Sequence, residues 1–179
     1  MRTRLLAALA AGVAASAALA TPAYAEDTTV TLTVDAVGGL SITVPANASL
    51  GHGTEGTTVS GQLGPVTVLD QRGSLTPNWS ATVTATDFVT GGGTSPETIP
   101  NINVSYWSGG ATATAGSGTF TPGQPSAGDA QIINVPRTAF SHTGGTGNNF
   151  ATWNPTVLVN IPAGTVQGTY TGTVTHSIF

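Results

Sequence analysis

The 179-residue chain contains no cysteine and no lysine. The first absence excludes a disulfide framework and attachment through a lipidated cysteine, although an exported protein would be free to form disulfides. The second leaves four basic residues, Arg2, Arg4, Arg72 and Arg137, against eight carboxylates. Phosphate backbones and anionic surfaces are held by clustered basic side chains. Nucleic acid, anionic lipid and polyanionic wall polymers are therefore excluded as expected partners, while neutral sugars and protein surfaces remain. Charged residues make up 7% of the chain, yet 39% is hydrophobic, which is too apolar for a disordered segment. What fills the chain is Thr, Gly, Ala and Val, and the β-branched members suit a pleated, half-buried surface.

Residues 1–25 read as a secretory leader. Arg2 and Arg4 form its positive start, Leu5 to Leu19 its Ala-rich apolar core, and Ala23-Tyr24-Ala25 a small-x-small cleavage site. The apolar run is shorter than the ~20 residues a membrane span needs. Cleavage is expected to leave residues 26–179 as one domain without a membrane anchor. Its length suffices to bury about 68–70% of its unfolded surface. No apolar tail with a basic stop precedes Phe179, so any surface residence is expected to be non-covalent.

Period-two alternation recurs and no helical period competes with it. Val30, Leu32 and Val34 alternate with Thr, as do Trp79, Ala81, Val83 and Ala85. Further strands are expected at Leu40–Val44, Val66–Val68, Ile102–Tyr106, Ile132–Ile133, Val157–Ile161 and Tyr170–Ile178. Gly91-Gly92-Gly93, Ser108-Gly109-Gly110, Thr121-Pro122-Gly123, Gly144-Gly145 and Pro162-Ala163-Gly164 read as loops. The pattern predicts an all-β, antiparallel, Greek-key-like sandwich. An outer-membrane barrel is disfavoured, because three Trp and three Tyr are too few for two aromatic girdles.

Catalytic patterns are sparse. His52, His142 and His176 lie in no nucleophile motif, and Gly-x-Ser-x-Gly is absent. His176 is in phase with apolar residues of its strand and reads as a core or edge histidine. His52-Gly53-Thr54-Glu55 lacks a second cluster at ligand spacing, so no metal is expected. Asp87 and Glu97 flank the Gly91–Gly93 loop, a weak match to a glycosidase pair. No catalytic residue and no cofactor is assigned.

The densest chemistry lies in Leu69-Asp70-Gln71-Arg72-Gly73-Ser74-Leu75-Thr76-Pro77-Asn78-Trp79. Asp70 and Arg72 are two apart, so an extended backbone points both to one side and permits a charge-assisted hydrogen bond. Arg72 stacked on an exposed Trp79 would contribute about 0.5–1 kcal/mol. Either this segment is a corner locking a long connection, or Trp79 or Trp107 is a stacking platform for a sugar. The in-phase Ala81, Val83 and Ala85 aim Trp79 at the core. Trp107 is out of phase with Ile102, Val104 and Tyr106, so it is the better exposed aromatic. Asp70, Arg72, Trp79, Tyr106 and Trp107 are the binding candidates.

With Leu63-Gly64-Pro65-Val66-Thr67-Val68 ahead of this segment, Phe88 after it and Tyr170–Ile178 as a closing strand, the chain resembles the WxL-domain family of Gram-positive surfaces. The resemblance implies a β-sandwich associating non-covalently with peptidoglycan, beside other surface proteins. The family's Trp-x-Leu signatures are replaced here by Trp79-Ser80-Ala81 and His176-Ser177-Ile178. The sequence therefore predicts a secreted, non-catalytic wall-associated protein. Alternatives are a soluble carbohydrate-binding module using Trp107 and Tyr106, an adhesive protein assembling by strand pairing, and a hydrolase.

Overall fold

The computed structural model describes residues 31–35 and 38–179. The expected leader, and Thr29 and Val30 of the first expected strand, lie outside the described residues. The strands are β1 (Leu40–Thr43), β2 (Thr58–Gln62), β3 (Val66–Asp70), β4 (Trp79–Ala85), β5 (Phe88–Val89), β6 (Thr98–Ile99) and β7 (Val104–Trp107). They continue with β8 (Ala111–Ala115), β9 (Thr119–Pro122), β10 (Gln131–Ile132), β11 (Arg137–Thr143), β12 (Asn149–Trp153), β13 (Thr156–Asn160) and β14 (Val174–Ile178). No described helix is long and apolar enough to cross a membrane.

Two antiparallel layers face each other. One has the order β14-β4-β11-β9. The other is a single bent layer. Its upper part, β1-β3-β12-β8, continues into its lower part, β10-β7-β13-β2. β2 runs on into β3, β12 into β13 and β7 into β8, and each pair keeps the same neighbours across the bend. Pro65 between β2 and β3 and Pro155 between β12 and β13 each remove a ladder donor, and β7 joins β8 through Ser108-Gly109-Gly110. At the bend Leu63 N donates to Pro155 O at 2.9 Å and Gly64 N to Asn154 Oδ1 at 3.1 Å. Gly64 has φ 94°, where a side chain would be strained, and a Cβ there would lie 2.9 Å from Pro45.

Period-two alternation builds the core. Val66 and Val68 of β3, Ala151 and Trp153 of β12, and Val157 and Val159 of β13 face inward. Ala81, Val83 and Ala85 of β4 and Phe140 of β11 meet them from the other layer. Phe140 stacks on Trp153 with centroids 4.9 Å apart. Contacts gather Val34–Phe179 into one compact unit.

The all-β sandwich is as expected from the alternation, with local corrections. Thr31–Asp35 form no strand, and Leu32 and Val34 are each 85% exposed. Ile102 sits in a 3-10 turn rather than in the strand. The last strand begins only at Val174. Before it, the Tyr170 hydroxyl donates to Pro96 O and Val166 O, and Thr171 only bridges to Val89. Pro122, read as part of a loop, instead closes β9.

Candidate functional site

Asp70 ends β3 on its inward face, in phase with Val66 and Val68, and its carboxylate is fully buried. Every side of that carboxylate is used. Arg72 Nε donates to Oδ1 at 2.8 Å and Nη2 to Oδ2 at 2.7 Å, while Arg72 N also reaches Oδ1 at 3.1 Å. Asn149 Nδ2 donates to Oδ2 at 3.3 Å. The Arg72 hydrogen bonds hold the Asp70 carboxyl below its usual range, against the opposing effect of burial. Asp70 in turn raises Arg72. Gly73, at φ 59°, then turns the chain where a Cβ would be strained.

The network continues inward. Trp79 Nε1 donates to Asn149 Oδ1 at 2.8 Å. His142, not Arg72, stacks on Trp79, with centroids 5.8 Å apart and planes at 24°. The guanidinium donates instead to Asn78 O at 2.9 Å. Both ring nitrogens of the fully buried His142 meet carbonyl oxygens: Nδ1 meets Pro77 O at 2.6 Å and Nε2 meets Ser117 O at 3.0 Å. A neutral ring can donate to one of these, and a doubly protonated ring to both. Gly118 is required beside it, because a Cβ there would lie 2.5 Å from Nε2. Asn78 Oδ1 accepts from Gly144 N, and Asn148 Oδ1 from Gly73 N. The expected corner is therefore present. It ties the 71–78 connection to β4, β11, β12 and the β8–β9 turn, and it buries Asp70 while leaving Arg72 partly in solvent.

A second polar chain crosses the middle of the sandwich. Trp153 Nε1 donates to Tyr106 Oη at 3.0 Å, and that hydroxyl lies 3.1 Å from His176 Nε2. Desolvation raises the Tyr106 hydroxyl's pKa and pushes half-buried His176 down to about 4. A neutral His176 with its proton on Nδ1 can accept the hydroxyl's hydrogen bond at Nε2 and end the relay. Tyr106 does not face a ligand beside Trp107, as the sugar-binding alternative expected. Successive residues of a strand point to opposite faces, and Tyr106 is fully buried.

Trp107 points out. It pairs with Thr156, which pairs with Gln62, and the adjacent row is Ser105, Leu158 and Ser60. These form an uncharged outer face of the lower layer. Gly109 keeps the ring's flank open, since a Cβ there would lie 3.4 Å from Trp107 Cζ3. Trp79 and Trp153 are buried, so Trp107 is the tryptophan that meets solvent. No protein-family model matches the chain, and no curated protein is significantly similar to it.

The remaining candidates are separate. His52 and Glu55 line an open groove of about 1110 Å³ at the lower end of the sandwich, floored by Val59, Ile99, Val159 and Ile161. Glu55 Oε2 accepts from Gly164 N at 2.6 Å, which fixes the neighbouring loop. Asp87 Oδ1 accepts from Asn101 N, and Glu97 Oε2 accepts from Thr94 N and Oγ1. Both carboxylates thus cap turns. Among the described residues no three His, Asp or Glu gather at metal-binding distance. Sequence reasoning missed His142 and Asn149 in the corner, and Phe120, whose ring centroid lies 4.5 Å from that of His142. The one available signal was the i, i+2 phase of Phe140 and His142.

Proposed function

We propose that this is a secreted, non-catalytic surface protein of WxL-like type that associates non-covalently with the peptidoglycan of a Gram-positive wall. The observation that carries the reading is Trp107, a half-buried indole on an outer sheet face that also carries Ser60, Gln62, Ser105 and Leu158. A tryptophan pairs a large apolar face with a polar N–H, which suits a neutral sugar ring flanked by hydroxyls. The absence of lysine supports a neutral ligand over an anionic one.

The positions that replace the Trp-x-Leu signatures fall on neighbouring strands, Trp79 on β4 and His176 on β14. Trp79 faces the core and His176 ends the Tyr106 relay, so neither presents a wall-binding aromatic. Contact through Trp107 replaces them. The same ring would serve a soluble carbohydrate-binding module, and the ligand separates the two readings.

The test is co-sedimentation of residues 26–179 with peptidoglycan sacculi, beside cellulose and chitin. Saturable pelleting with sacculi, lost in Trp107→Ala at unchanged melting temperature, is the expected outcome. Pelleting with cellulose or chitin alone would transfer the assignment to the carbohydrate module. No pelleting with any of the three would overturn both.

A further inference from the structure

The geometry points to β8 as the acceptor edge for a strand donated by the Thr31–Val34 segment of a second copy of this chain, giving head-to-tail assembly. β8 is hydrogen-bonded to β12 on one side only, and all five of its residues, Ala-Thr-Ala-Thr-Ala, are exposed. An open strand edge presents a row of unpaired donors and acceptors, and proteins usually blunt it with charge, proline, shortness or a covering loop.

Three other edges carry such devices, and β14, the edge beyond β4, lies alongside β1. β9 ends on Pro122, β10 has two residues, and β1 has four and is followed by Pro45. At β2 the preceding loop packs against the sheet face instead of the edge, since a Cβ on Gly61 would lie 3.3 Å from the Leu50 backbone. β8 has none of these devices. No charged side chain occurs anywhere between Glu97 and Asp129.

The donor is the matching loose end. Thr31-Leu32-Thr33-Val34 has strand alternation and no charge, yet forms no strand and exposes both apolar side chains. On the outer face beside β8, a cross-strand row runs Leu69, Phe150, Ala115, and the next runs Thr67, Thr152, Ala113. A strand added at β8 would set Leu32 and Val34 beside Ala115 and Ala113 and extend these rows, as strand addition does elsewhere. The chain enters the layer at β1, the edge opposite β8. Donor and acceptor are different segments of the chain. Such a heterologous contact links molecules head to tail, into an open chain or a ring.

The experiment is sedimentation velocity on the exported full-length protein over a wide concentration range, with Leu32→Lys as donor variant and Ala113→Lys as acceptor variant. Both positions are exposed, and unchanged melting temperatures will confirm the fold. The wild type is expected to form a concentration-dependent ladder of oligomers and each variant alone to stay monomeric. An equimolar mixture of the two variants is expected to form a heterodimer and nothing larger, because one donor and one acceptor remain. A monomeric wild type at every concentration would overturn the proposal. So would assembly that survives Ala113→Lys, or assembly that survives Leu32→Lys, the latter being the mark of β8 pairing with a second β8.

Discussion

Trp79 and Trp107 have similar settings in the sequence. Each is followed by Ser at a strand end, and each adjoins a turn rich in Gly or Pro. Their structural settings are opposite. Trp79 is clamped by Asn149 and His142 beneath a buried carboxylate, and every polar group near it already has a partner within the fold. Trp107 lies on an uncharged outer sheet face with Ser60 and Gln62 exposed. The comparison teaches that scarcity of charge is not itself a sign of function. The charged pair Asp70 and Arg72 is used to lock a corner, and the proposed binding surface is made from residues with no charge.

The two tryptophans separate most widely in stability. Trp79→Ala removes a buried indole and orphans Asn149 Oδ1, so a loss of about 3–5 kcal/mol is expected, as for other core aromatics. Denaturant unfolding measures it, and an unchanged midpoint would place the indole outside the core. Asp70→Ala comes next. Removing one partner of a buried pair costs about 3–5 kcal/mol, and the partial solvation of Arg72 lowers the expectation to about 2–3 kcal/mol. Arg72→Lys should recover little of the bidentate geometry, and equal stability of Arg72→Lys and wild type would contradict the corner account.

Acid distinguishes the corner from the central relay. His176 is held below its unfolded pKa of about 6.5, so the unfolded chain binds the extra proton first. Its neutral form is fully favourable above about 6.5, and stability falls as pH drops from there towards about 4. The loss is bounded by about 3 kcal/mol, less what the ring's partial exposure screens. Asp70 acts lower. Its depressed carboxyl contributes above about 3.9 and is lost only as pH falls through its folded value. His176→Phe should flatten the melting-temperature profile between pH 6.5 and 4 and leave the steeper acid limb. A profile unchanged by the substitution would show that His176 does not report this step. The smallest effect is expected for Trp107→Ala, within about 0.5 kcal/mol of wild type as for other surface positions.

The fold class was legible because the alternation of polar and apolar residues in β4 and β14 is the physical pattern of a half-buried strand. β8 was invisible because Ala-Thr-Ala-Thr-Ala buries nothing and so carries no apolar contrast. β11 was hidden by its bulge, which turns both Ala139 and Phe140 inward and breaks the period. In the corner, the Asp70–Arg72 pair followed from its two-residue spacing alone. Its partners Asn149 and His142 come from strands more than sixty residues away, and only the register of β12 and β11 brings them in. Tyr106 and Trp107 show the remaining limit. Adjacent residues were grouped as one surface, whereas the pleat sends one to the core and the other to solvent.

The most direct test of the contrast is to measure Trp107→Ala twice, for its unfolding midpoint and for its binding to peptidoglycan sacculi against wild type. An unchanged midpoint with binding abolished is the predicted result. Wild-type binding by Trp107→Ala would contradict the account and remove the outer sheet face as the site of wall contact.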